Sequence, residues 1–210
     1  MKSPFTFVHS APKEAVENRP AIFLLHGMGS HEEDLPQLVQ SFKDSHHIFS
    51  LRGPIVYNPC YAFFTNEEEG KPVRVVFDEV LTYIQSFIYE AIEEYGLNEE
   101  QIYVLGFSQG AVLAQSLAFT MGSAVRGVVA LSGYVPDFVK DEYKKQAVDH
   151  LNVFISHGEY DYVIPYHWGE DSRDYFNSQG AQVTFKKYPD GHGVTPENHQ
   201  DLVAFLRQFE

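Results

Sequence analysis

The sequence predicts an α/β fold: a mostly parallel sheet with helices on both faces and no cap domain. Three observations carry this. Apolar runs with no polar face, at Ala21–Leu25, Ile102–Leu105, Gly127–Leu131 and Leu151–Ile155, read as strands buried on both sides. Segments of helical periodicity separate these runs, so strand and helix alternate along the chain. One run leads into Gly106-Phe107-Ser108-Gln109-Gly110 and then into an Ala- and Leu-rich helical pattern. That is strand, sharp turn and helix, with a serine at the apex.

Taken in order, Phe5–Val8 alternates weakly and reads as an edge strand, and Pro12–Pro20 as a polar loop. Ala21–Leu25 stops at His26-Gly27. The following helix is expected to start at Asp34, a good N-cap that leaves Pro36 in the first turn, where its missing N–H costs nothing. Ser30 with Glu33 also fits a capping box, but it would set Pro36 deeper in the helix. Ile48–Leu51 is a short strand ending at Arg52-Gly53-Pro54, and the stretch to Pro72 reads as irregular and aromatic. Phe77, Val80, Leu81, Ile84, Phe87 and Ile88 recur at three- and four-residue steps, which predicts a helix over 75–95 with Gly96 as its stop. After the elbow and the strand Gly127–Leu131, one polar crossover helix is expected over Asp141–Asp149. A cap with its own apolar underside does not fit in what remains there. Leu151–Ile155 ends in Ser156-His157-Gly158, Tyr166–Asn177 reads as helix, Ala181–Tyr188 as strand, and Leu202–Phe209 as the closing helix.

The 210 residues suit one domain, 1–210, with a sizeable core. A formal net charge of -14 repels nucleic acid and anionic membrane surfaces alike. Cys60 is the single cysteine and cannot form an internal disulfide, which points to a reducing, cytoplasmic setting. The N-terminal residues Met1–Thr6 carry no apolar h-region of a signal peptide, and no apolar run is long enough to span a bilayer.

The chemistry gathers at the expected carboxyl ends of the strands, where such sheets carry their sites. Gly106 and Gly110 flank Ser108 because a side chain at either would collide with the neighbouring strand or helix in so tight a turn. A serine hydroxyl needs a base, which histidine supplies best near neutral pH, and the histidine needs a carboxylate to hold its tautomer. His192 lies in a glycine-flanked turn after the last strand, free to reach the elbow, whereas His26 comes too early in the chain and reads as a loop brace. Asp161, presented by the turn ending at Val163-Ile164-Pro165, is the favoured acid over Glu159 and Asp137, and its plain reading is an Asx-turn residue. The order Ser108, Asp161, His192 is that of an α/β-hydrolase. Ser132 and Ser156 lack the paired glycines. Two N–H groups must meet the developing oxyanion, and Gln109 and Met28 are the candidates. His31-Glu32-Glu33-Asp34 reads as an acidic helix start favoured by the dipole rather than as a metal cluster, and no metal or cofactor is expected.

With these residues collected, the sequence resembles the phospholipase/carboxylesterase family of α/β-hydrolases, which includes the acyl-protein thioesterases. Leu24–Gly29 with Glu33-Asp34-Leu35, the elbow Gly106–Gly110, Leu131-Ser132-Gly133, His157–Asp161 through Pro165, and Gly191-His192-Gly193 with Glu197 carry the likeness along nearly the whole chain. The resemblance implies hydrolysis of carboxylic esters or thioesters by Ser108, Asp161 and His192. The expected partner is a small-molecule ester or thioester, and the chain is expected to be a monomer or homodimer. Lysophospholipase or thioesterase action is the neighbouring reading, and a non-catalytic binding module is the rival from another class. Ser30 stands where the family often has Asp, and the short segment from Gly53 to Lys71 resembles the smaller bacterial branch. By the same resemblance Phe63 and Phe64 lie near the acyl pocket; the alternative is that they are ordinary core aromatics.

Overall fold

Strand burial follows the apolar runs. The computed structural model describes residues 4–14 and 17–209. Residues 1–3, part of the stretch read for a leader, residues 15 and 16 of the polar loop, and residue 210 lie outside the described residues. In chain order the strands are β1 (Phe7–Ser10), β2 (Arg19–Leu25), β3 (His47–Leu51), β4 (Ile55–Tyr57), β5 (Cys60–Ala62), β6 (Asn66–Glu68), β7 (Lys71–Pro72), β8 (Leu97–Phe107), β9 (Gly127–Leu131), β10 (Asn152–Gly158) and β11 (Gln182–Tyr188). Seven of these form the main sheet in the order β1-β3-β2-β8-β9-β10-β11. Every pair in it is parallel except the edge pair β1–β3. The stretch expected to be irregular instead folds into two small hairpins, β4–β5 and β6–β7.

Each central strand alternates between two apolar layers. Phe23, Leu25, Val104 and Val128 face one layer, with helices α1 (Arg74–Tyr95), α2 (Gln109–Met121) and α4 (Tyr166–Ser178) supplying residues such as Ile84, Leu113 and Phe176. Ile22, Leu24, Leu105 and Val129 face the other, against the 3-10 segment Leu35–Phe42 and helix α5 (Pro196–Leu206). The sheet is thus covered on both faces, and the carboxyl ends of β2, β8, β9, β10 and β11 share one edge. Among the described residues no helix is long and apolar enough to cross a membrane.

Several boundaries differ from those expected. The segment after Asp34 is 3-10 rather than α-helical and kinks at Val39 (φ -117, ψ 17). The Asp34 carboxylate accepts the Ser30 hydroxyl at 2.6 Å instead of capping a backbone N–H. The crossover helix is α3 (Asp137–Asp141), not 141–149. The later stretch cannot close on itself because the Gln146 N–H donates to the Phe119 carbonyl of α2 at 2.7 Å. The last helix begins at Pro196, six residues before Leu202, because the Thr195 hydroxyl accepts from the Asn198 N–H at 3.1 Å and Pro196 fits the first turn.

Candidate active site

Ser108 stands at the end of β8 with φ 52 and ψ -116, a strained conformation for a residue with a side chain. Its N–H donates to the Leu131 carbonyl at 2.8 Å, which fixes the elbow to β9. The flanking glycines are sterically required. A Cβ on Gly106 would lie 2.1 Å from the Gly110 carbonyl oxygen, and one on Gly110 would lie 1.8 Å from that of Leu25. The strand, the helix and the neighbouring β2 therefore meet only because both positions lack a side chain.

The structure brings three of the expected residues together. The Ser108 hydroxyl lies 2.9 Å from His192 Nε2, and His192 Nδ1 lies 2.7 Å from Asp161 Oδ2. A carboxylate only accepts, so the Nδ1 proton points at Asp161 and the Nε2 lone pair faces the serine. Asp161 Oδ1 accepts from the Val163 and Ile164 N–H groups, each at 2.9 Å, as an Asx turn does, while Oδ2 faces the histidine. The competing carboxylates are elsewhere. Asp137 is exposed and pairs with Lys140 at 3.1 Å, and Glu159 pairs with Lys187 at 2.7 Å. The Ser156 hydroxyl accepts from Asn198 Nδ2 at 3.0 Å; Ser132 is buried.

His26 is the loop brace expected. Its Nδ1–H donates to the Gly27 carbonyl at 2.7 Å and its Nε2 accepts from the Gly53 N–H at 2.9 Å. Burial lowers its pKa from 6.5, which keeps the ring in the neutral form this pairing needs. The backbone just beyond it turns at Gly29, whose N–H donates to the Tyr61 carbonyl at 2.9 Å. Among the described residues the Met28 and Gln109 N–H groups have no hydrogen-bond partner. The residues read as an acidic helix start precede the helix, and the buried Glu32 carboxylate is instead held by Arg52 Nε at 2.6 Å. Arg52 in turn lies over the Tyr61 ring at 4.4 Å. Among the described residues no group of three or more His, Cys, Asp and Glu is placed to hold a metal ion.

Phe63 and Phe64 separate. Phe64 lines a cavity of about 130 Å³ beside Ser108, with Met28, Val112, Tyr134, Ile164 and Trp168. Phe63 does not reach that cavity and packs on the His26 ring at 4.8 Å. Both are tied to the elbow through the Gln109 side chain, whose Oε1 accepts from the Phe63 N–H at 2.6 Å and whose Nε2 donates to the Phe64 carbonyl at 2.7 Å. Sequence reasoning gave Gln109 only a backbone role. It also passed over His157, whose Nε2–H donates to the Ile164 carbonyl at 2.9 Å and lies 3.4 Å from Asp161 Oδ2. Gly169 makes room for that ring, since a Cβ there would sit 2.6 Å from His157 Nδ1. The one signal in the sequence was a histidine at the end of an otherwise apolar strand.

The profile of the phospholipase/carboxylesterase family matches residues 8–210. The chain belongs to the phospholipase/carboxylesterase family. It is 30% identical over 192 residues to MhqD of Bacillus subtilis, which carries the name of a hydrolase, covering 89% of this chain and 92% of that one. Acyl-protein thioesterase 1 of Candida albicans is 26% identical over 220 residues, covering 94% and 95%. A crystal structure of the Bacillus cereus carboxylesterase superposes with a TM-score of 0.85 at 25% identity, over 97% of this chain and 94% of that one. The fold is accordingly that of an α/β-hydrolase, with the mostly parallel sheet described above and, among the described residues, no cap.

Proposed function

We propose that the protein is a serine carboxylesterase that works through an acyl-enzyme. The observation that carries the reading is the continuous relay from the Ser108 hydroxyl to His192 to Asp161, at 2.9 and 2.7 Å. His192 Nε2 takes the hydroxyl proton as Ser108 Oγ bonds to the ester carbonyl carbon. The Met28 and Gln109 N–H groups receive the oxyanion, which is where electrostatic stabilisation acts most strongly. Collapse of this intermediate breaks the bond to the alcohol, which departs with the proton from His192. Water then attacks the acyl-enzyme by the same route, and the acid is released. Asp161 holds the ring in place and stabilises the imidazolium.

Thioesters fit the same machinery, and relatives named acyl-protein thioesterases support that second reading. The lone Cys60 supports a cytoplasmic location. The test is a screen of esters and thioesters of graded acyl length. Turnover of short esters is expected. A folded protein that hydrolyses none of them, and that takes up no active-site phosphonate, would be a binding module instead.

A further inference from the structure

The cavity beside Ser108 ends at a wall. Glu69, Gly70, Tyr134 and Trp168 line both this cavity and a second one of about 230 Å³ that lies beyond them. Those four residues are therefore the partition between the two spaces. On the near side Phe64, Val112, Ile164 and Met28 supply the apolar lining, with Asn66 and Glu69 at the hairpin. The far side is rimmed by charges, with Lys71, Asp137, Lys140 and Asp171 among its lining.

Trp168 is the main body of the partition, and it is held from several sides. Its ring stands edge-on to Tyr134, with centroids 4.9 Å apart. The Gly70 backbone, at φ +73 in the β6–β7 turn, closes against the ring so tightly that a Cβ there would be 2.4 Å from Trp168 Cη2. The Trp168 backbone N–H donates to the Pro165 carbonyl at 2.9 Å. The Trp168 carbonyl accepts from the Ser172 hydroxyl at 2.9 Å, and Ser172 Oγ accepts the Val135 N–H at 3.0 Å. These backbone bonds fix where Trp168 stands at the start of α4, and the Gly70 backbone and the Tyr134 ring pack directly against its indole.

We propose that Trp168 sets acyl-chain length in this enzyme, restricting it to short acyl groups, and that its removal joins the two cavities and admits medium-length chains. This rests on the reading of Ser108 as the nucleophile. A cavity of about 150 Å³ holds one benzene, so the near space takes roughly five non-hydrogen atoms. That matches acetyl to valeryl groups attached at Ser108. A longer chain meets the indole. Each methylene that cannot be seated forfeits discrimination of about tenfold or more.

Two measurements test the proposal. The first compares kcat/KM for p-nitrophenyl esters of two to ten carbons between the wild type and Trp168→Ala. The wild type should fall by at least ~10-fold from butyryl to octanoyl, and the variant's octanoyl-to-acetyl ratio should rise by at least ~10-fold. Parallel chain-length profiles in a folded variant would overturn the proposal. The second needs neither turnover nor a variant. Trp168 is the only tryptophan in the chain, so its emission reports the pocket directly. Butanamide should shift or quench it, and octanamide should do so at least ~10-fold more weakly. If octanamide binds as well as butanamide, or neither changes the emission, Trp168 is not the wall. If no ester is hydrolysed while butanamide still shifts the emission, the catalytic reading fails and the wall stands.

Discussion

Acidifying the protein from pH 7 to pH 5 should weaken the fold by about 2 kcal/mol through His46 alone. His46 is only 4% exposed, lies edge-on to Phe42 with centroids 5.2 Å apart, and pairs with the Ser45 hydroxyl at 2.8 Å. Burial lowers its pKa from 6.5 to about 4. The unfolded chain takes up a proton near pH 6.5, whereas the native chain resists until near pH 4. Between those values the unfolded state binds more protons, so stability falls as pH falls. At pH 5 the unfolded imidazole is about 97% protonated and the native one about 10%, which gives the ~2 kcal/mol. The stacked pair His9 and His47 adds to the loss in the same direction, since burial and the His47 charge lower His9 to about 4. The assay is urea unfolding at pH 7 and pH 5 for the wild type and His46→Phe. The variant should lose about 2 kcal/mol less than the wild type over that interval. Equal losses in the two proteins would refute the assignment of the acid sensitivity to this ring.

Asp161→Asn should keep the fold, because Oδ1 can still accept from Val163 and Ile164, yet lower kcat by as much as ~10⁴. A mild effect there, with an equally severe one for Asp137→Asn, would reassign the acid. Gly110→Ala should destabilise by more than about 3 kcal/mol in urea unfolding, because its Cβ would lie 1.8 Å from the Leu25 carbonyl oxygen. An alanine variant of near wild-type stability would mean that the elbow relaxes. With only α3 between β9 and β10, rate against ester concentration should rise as a smooth hyperbola through the solubility limit. A jump in rate at the onset of micelles or emulsion would point to interfacial activation.

The parts of this fold that the sequence made legible are those whose causes are local. Ala21–Leu25 and Gly127–Leu131 read as buried strands because neither has a polar face, and both are buried in full. The elbow was legible because Gly106, Ser108 and Gly110 answer to contacts across a single turn. Asp161 and His192 followed from their places after strands, although chain order alone left Asp137 and Glu159 in contention. What escaped depends on distant partners or on signals that carry no apolar stripe. Strand β8 starts at Leu97, which pairs with Arg19, and runs through the polar Asn98, Glu99 and Glu100, where no apolar run marks it. Helix α5 announced itself through Thr195 and Pro196, ahead of any periodic pattern. The Gln109 clamp on Phe63 and Phe64, the approach of His157 to Asp161, and the contact of Trp168 with Gly70 join residues far apart in the chain, and no local pattern encodes them.

The central claim is that Ser108 is the group that forms the covalent bond. Treatment with an alkyl fluorophosphonate, followed by peptide mass spectrometry and by turnover of p-nitrophenyl butyrate, tests it most directly. One adduct is expected, on the peptide containing Ser108, with activity lost in step with labelling. Ser108→Ala should take up no label and lose ~10⁴–10⁶ in kcat while remaining folded. An adduct on Ser132 or Ser156, or full activity after stoichiometric labelling, would contradict the account.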